Sequence, residues 1–282
     1  MKKTQWIAAG VALLLVISVY AATVNQIFGN NVKKQNAQPV TQAAVLSSDS
    51  ILFHAKESLS PEQASRISLL EKSITRGDVN NQKLHLYHQL ARFWKDSVRV
   101  FEPYAWYTAE AARLENSENS LTFAAHLFLE NLSTEENPSL KQWKALQSKD
   151  LFERSLKINP ANDSSQVGLG IVDLYGGLAS PMEGIQKIRK VADEHPDNVY
   201  AQMTLGHASI MSGQLDKAIE RFTIVNQLEP NNLEAILSLA DASERSGDRE
   251  KAISWYNKSL PLINIPDLKE EVKRRVAELE KK

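Results

Sequence analysis

The stretch VYAQMTLGHASIMSGQLDKAIERFTIVNQLEPNN, residues 199–232, decides the reading of the whole chain. It spells a helix, a glycine turn, a second helix and a Pro-Asn stop. Gly213 stands where the first helix must close, and glycine takes the required positive φ without a Cβ clash. Pro230 ends the second helix, because it lacks an N–H and its ring blocks the preceding turn. Small residues at Gly206 and Ala218 let the two antiparallel helices approach. Large ones at Leu205 and Phe222 fill the space toward the neighbouring pairs.

Copies lie on both sides. Shifting by 34 residues takes Ala218 to Gly184 and Ala252, Phe222 to Ile188 and Tyr256, and Leu205 to Ile171 and Leu239. The same shift takes Gly206 to Val172 and Ala240, and Gly213 to Ala179 and Gly247; Pro230 matches Pro196. A fixed period of this length signals stacked helical hairpins. One hairpin cannot bury its apolar face alone, so neighbours must stack.

These residues resemble the tetratricopeptide repeat (TPR) family. Gln202 and Ser209 depart from the Trp and Tyr that the family prefers, and the last copy ends at Asn264 without a proline. The clearest copies are residues 165–198, 199–232 and 233–264, within a repeat region of 81–264. Weaker pairs at 81–97 with 102–114, and 120–132 with 140–158, bring the total to about five hairpins. The resemblance implies an all-α fold, a right-handed superhelical stack of hairpins (an α-solenoid). Its inner groove is lined by the first helix of each hairpin and takes a protein or peptide partner.

The ends differ in kind. Lys2 and Lys3 precede an uncharged apolar run from Trp6 to Val24, close to the roughly 20 residues that span hydrocarbon. Residues 1–29 are therefore expected to form a single transmembrane anchor, with the lysines left in the cytoplasm and the body facing the periplasm or exterior of a bacterial cell. A signal peptide cut after Ala21 is the alternative, and then the body is secreted. Residues 30–50 are polar and read as a flexible linker. Residues 51–80 read as an amino-terminal capping region, with Ser60 and Pro61 starting a helix. Residues 265–282 carry one apolar stripe, Leu268, Val272, Val276 and Leu279, as an end cap requires. The basic run Lys273, Arg274, Arg275 reads as a solvated face with Glu partners.

Composition excludes several classes. Of 282 residues, 43% are hydrophobic and 24% charged, with net charge −1 and no cysteine. No basic field points to nucleic acid. Disulfides and thiolate metal sites are impossible. Gly168 and Gly170 lie inside a repeat helix rather than after a strand, which rules out a nucleotide loop. His85 and His88 have metal-ligand spacing but no carboxylate or third histidine beside them. No catalytic residue, cofactor or metal is expected.

The candidate binding residues lie in the repeats. Asp173, His207 and Asp241 are 34 residues apart and share one slot on the first helices. Met203, Ile210 and Met211 are expected on the same wall. Such a row suits a neutral or basic segment better than a peptide carboxylate. The expected role is a non-catalytic, membrane-tethered scaffold in the cell envelope, in which self-association is open. A periplasmic assembly factor that presents client chains, as in cytochrome maturation, is the alternative.

Overall fold

A computed structural model describes residues 46–76, 80–130 and 132–281. The chain divides into two units, Met1–Ala44 and Val45–Lys282, and the described residues belong to the second. Among them no helix is long and apolar enough to cross a membrane. The expected span lies outside the described residues.

The second unit is an all-α solenoid. Its helices are α1 (Ser48–Glu57), α2 (Pro61–Arg76), α3 (Asn80–Arg92), α4 (Phe101–Glu115), α5 (Glu118–Leu129), α6 (Pro138–Ile158) and α7 (Asp163–Tyr175). They continue with α8 (Pro181–Glu194), α9 (Val199–Met211), α10 (Leu215–Leu228), α11 (Leu233–Arg245), α12 (Arg249–Ser259) and α13 (Pro266–Lys281). Successive pairs from α3/α4 to α11/α12 form five antiparallel hairpins, α1 packs on α4, and α13 closes the stack on α12.

Local chemistry sets the helix starts. Ser117, Asn137, Asn162, Asn198, Asn232 and Asp248 each accept a hydrogen bond from a backbone N–H of the first turn, which satisfies donors the helix cannot. At α2 the exchange is reciprocal. Gln63 N–H donates to Ser60 Oγ at 3.2 Å, and Ser60 N–H to Gln63 Oε1 at 3.0 Å, a capping box. Proline opens α6 and α8, where its missing N–H costs nothing.

One helix departs from the expected single run over 81–97. After Arg92 the chain widens into a π-helical stretch, Phe93–Val98, which ends at Arg99 in the left-handed region (φ 62°). The wider turn leaves two consecutive rings, Phe93 and Trp94, both buried and edge-to-face at 6.4 Å. They anchor an amino-terminal cluster with Leu52, Ile67, Leu90 and Tyr107. Glu71 binds that region together: Lys56 Nζ lies 2.8 Å away, and the Tyr107 hydroxyl donates to it. Burial, then the bond to Glu71, pushes the Tyr107 phenol far above its ordinary range.

The repeat register is not uniform. The capping residues Asn198 and Asn232 are 34 apart, but Asn162 precedes Asn198 by 36. Three residues, 212–214 and 246–248, separate the helices of the last two hairpins, whereas five, 176–180, separate α7 from α8. The two extra residues therefore follow the first helix and its turn glycine. Gly177, not Ala179, takes the positive φ of 68°, as Gly213 (73°) and Gly247 (86°) do. The counterpart of Gly206 is Gly170, not Val172. The second helices α8 and α10 keep the 34-residue shift, with Gly184 facing Ala218's slot. The uniform period expected from sequence is correct for the second helices and for α9 and α11, and off by two for α7.

The glycines of this region mark close contacts. A Cβ on Gly206 would lie 2.4 Å from the Phe222 ring, and one on Gly168 2.2 Å from Phe152. These two glycines of α7 and α9 admit an aromatic ring from a packed helix.

Candidate functional site

The first helices place their ninth residue after the cap toward the next hairpin. In chain order these residues are His126, Ile171, His207 and Asp241. His126 was not singled out in the sequence because the loop after α5, residues 130–137, is longer than a repeat turn. Its equivalence to His207 is structural. Each imidazole stands edge-to-face on an aromatic ring of its partner helix at 5.1 Å, Phe152 for His126 and Phe222 for His207. Each also reaches the first turn of the next hairpin: His126 Nε2 lies 2.8 Å from Ser164 Oγ, and His207 Nε2 lies 3.0 Å from Glu234 Oε1.

His126 is the more enclosed of the two, with the Tyr200 ring against it at 5.6 Å. Burial holds its pKa below the usual imidazole value, and burial raises the Tyr200 phenol well above its own. His126 is thus a neutral spacer between hairpins at neutral pH.

His207, Ile210 and Asp241 line one cavity of about 640 Å³, together with Leu233, Glu234, Leu237 and Ser238. Every lining residue belongs to α9, α11 or the first turn of α11. The floor is apolar, and Glu234 and Asp241 form an acidic rim. Asp241 is half-exposed with Arg245 Nη1 3.6 Å away on its own helix. The site therefore presents an open, acidic trough between the first helices of two hairpins.

The other three expected residues lie elsewhere. Met203 is buried in the cluster that joins α9 to α10 and α11. Met211 is exposed, but it lines a different cavity, on the edge that carries the hairpin turns. Asp173 is buried, 3% exposed, and bonded to Lys187 of α8. The two extra residues of the α7–α8 turn explain this. Eleven residues after its cap, Asp173 corresponds to Ser209 and Ser243, on the side of the helix that meets its own partner helix.

Asp173 and Lys187 should therefore affect folding. Lys187→Met leaves a buried carboxylate without its cation. Removing one partner of a fully buried pair costs about 3–5 kcal/mol. Lys187 is 48% exposed, so water solvates part of the loss and about 2 kcal/mol is expected. Combining it with Asp173→Leu should recover most of that, because the stranded charge is gone. Urea denaturation of the two variants measures this; equal instability of single and double variants would count against the pairing.

His85 and His88 do not converge. His85 Nε2 is 2.7 Å from Gln89 Nε2, while His88 lines a separate cavity with Arg92, Lys95 and Phe123. Among the described residues no group of three His, Asp or Glu is placed to hold a metal ion. The basic run of α13 is matched by carboxylates: Lys273 lies 2.7 Å from Glu270, and Arg275 lies 3.1 Å from Glu278 and also bonds Glu244 of α11. Burial, then the nearby Glu244 charge, pushes the Tyr256 phenol up to about 12. This cluster clamps the last helix to the stack.

No protein-family description matches the chain, and no curated protein matches it. Solved structures do. YrrB, described as a TPR protein with an unusual peptide-binding site, is 19% identical over 73% of this chain and 97% of its own, with a TM-score of 0.41. MamA from Desulfovibrio magneticus RS-1, solved from residue 41 to its end, is 22% identical over 66% of this chain and 96% of its own, with a TM-score of 0.44.

Proposed function

We propose that this chain is a non-catalytic TPR scaffold, a right-handed superhelix held at a membrane by residues 1–29 and facing outward in a bacterial envelope. Its trough between α9 and α11 takes a segment of a partner protein. The observation that carries the binding role is that trough: Ile210, Leu233 and Leu237 form an apolar floor, with Glu234 and Asp241 at the rim. Apolar side chains of the partner provide burial, and Lys or Arg beside them complement the rim. Charge at such a rim governs specificity and association rate more than raw affinity. The exposed methionines Met182 and Met211 favour a second form of the same role, an assembly factor that accommodates varied clients.

A labelled peptide of alternating Lys and Leu probes the trough. Reversing both rim charges, Glu234→Lys with Asp241→Lys, should weaken it at least tenfold at low salt, with the melting temperature unchanged. Unchanged affinity would overturn the trough as the site. Protease added to intact spheroplasts tests the orientation. Removal of the repeat body supports outward placement, and protection contradicts it.

A further inference from the structure

A second cavity of the solenoid lies away from the trough, on the edge that carries the hairpin turns. It measures about 830 Å³ and opens between the hairpins α7/α8 and α9/α10. Its walls are apolar: Leu174 and Tyr175 at the end of α7, Ile185 of α8, and Leu205 of α9. Two methionines stand at its mouth, Met182 at 61% and Met211 at 69% exposure. The Tyr175 hydroxyl lies 3.4 Å from the Met211 sulfur, so one hairpin touches the other across the opening.

This junction is where the repeat departs from its period. The five-residue turn before α8 includes Leu178, which packs back on the preceding hairpins' core rather than toward α9. The space beside Met182 and Ile185 is left open. The cavity wall is formed by the residues that flank this longer turn, Leu174 and Tyr175 before it and Pro181 and Met182 after it.

Its charge is the opposite of the trough's. Arg189 of α8 and Lys217 and Arg221 of α10 line it, against one carboxylate, Glu220. The contacts of Lys217 and Arg221 are to neutral side chains, Gln214 Oε1 at 2.6 Å and Gln202 Oε1 at 2.9 Å. None of the three cations has a salt-bridge partner among the described residues. The α8 wall runs from Pro181 through Ile185 to Arg189, one helical stripe about 12 Å long at ~1.5 Å per residue. That length matches about two turns of a second helix.

We propose that this cavity is a second docking site, for an amphipathic helix of a partner protein with an apolar stripe flanked by carboxylates. The apolar stripe enters between Met182 and Met211, whose unbranched side chains adjust to its shape. Carboxylates on either flank meet Arg189 on one side and Lys217 and Arg221 on the other. A helix laid in an apolar groove is read by anchors at i, i+3, i+4 and i+7. The chain then holds two segments of opposite charge on two faces. The site stands on its own lining residues and does not depend on what the trough binds.

The test uses the full-length protein in lipid nanodiscs. The probe is a labelled 14-residue helical peptide with Leu at i, i+3, i+4 and i+7 and Glu on both flanks, read by fluorescence anisotropy. A control peptide carries Lys for Glu. The Glu peptide should bind at least tenfold more tightly than the control to a protein with Glu234→Gln and Asp241→Asn, which neutralises the trough's rim without making it basic. Arg189→Glu with Lys217→Glu should weaken the Glu peptide at least tenfold. Met182→Glu, on an exposed side chain whose change leaves the core intact, should do the same. Equal binding of both peptides overturns the proposal, as does affinity unmoved by the three cavity substitutions. If the substitutions instead abolish only self-association in sedimentation, the occupant is a second copy and the proposal fails. Displacement of the peptide by a free fatty acid at stoichiometric concentration also overturns it, in favour of an acyl ligand.

Discussion

Replacing Gly184 by alanine is expected to lower the melting temperature by about 10 °C, from a loss of about 3 kcal/mol. A Cβ at this position would stand 2.4 Å from the Gly170 carbonyl oxygen and 2.7 Å from the Leu174 backbone nitrogen. Both are main-chain atoms of α7, so no rotamer change can relieve the contact. The helices themselves must part, and Val172 and Ile188, both fully buried, lose packing as they do. Alanine's better helix propensity returns about 1 kcal/mol, which is too little to reverse the sign.

Gly206→Ala makes an informative comparison. There the close neighbour is the Phe222 ring, a side chain. Adding Phe222→Leu should restore part of the stability lost by Gly206→Ala, whereas Ile188→Val should not rescue Gly184→Ala. Calorimetry on the four proteins decides it. A melting temperature unmoved by Gly184→Ala would mean that α7 and α8 do not approach backbone to backbone.

Trp143→Ala should be costlier, about 4 kcal/mol by the usual range for a buried tryptophan. Trp143 is 1% exposed at the centre of the largest core cluster. Its ring stands edge-to-face on Phe128 at 5.2 Å. Its Nε1–H donates to Ser48 Oγ at 3.0 Å, across 95 residues of chain, and so fastens the start of α1 to α6. Truncation removes the packing and that fastening together. Trp143→Phe keeps most of the packing and loses the donor, so it should cost far less. Ser48→Ala isolates the hydrogen bond, worth about 1 kcal/mol.

Hydrogen exchange distinguishes the two effects. In Trp143→Ala, amides of residues 51–57 should exchange much faster, while those of α11 and α12 keep their protection, because a repeat contacts its neighbours alone. Uniform loss of protection would instead show the solenoid unfolding as one unit. Trp143, with Ile51 packed on the same cluster, holds the first turn of α1 against α6.

The hairpins were legible in the residues because turn chemistry is local. Asn198 and Asn232 as caps, Gly213 and Gly247 as left-handed turns, and Pro196 and Pro230 as stops act within a few residues of themselves. The end cap was legible for the same reason, since a single apolar stripe on a charged helix has one place to go. The trough was legible in part. His207, Ile210 and Asp241 meet there because the last two hairpins share one register and one turn length. His126 was hidden by a long loop, and the π-helical stretch at Phe93 by the ordinary helical spacing around it.

The sequence by itself determined the all-α class, the pairing of helices and the absence of any cysteine chemistry, because these follow from periodicity, caps and composition. Only the tertiary structure decided which side chains line the trough and which are packed inside. Helix-side assignment depends on where an insertion falls. Two residues placed after a first helix leave its second helix in step and rotate the bookkeeping of the first by about 200° at 100° per residue. Asp173 is inside with Lys187 for that reason, while the space left beside Met182 became a cavity. An insertion's position in a repeat is settled by which atoms meet, as Gly170 and Gly184 do, and not by the spacing of residues along the chain.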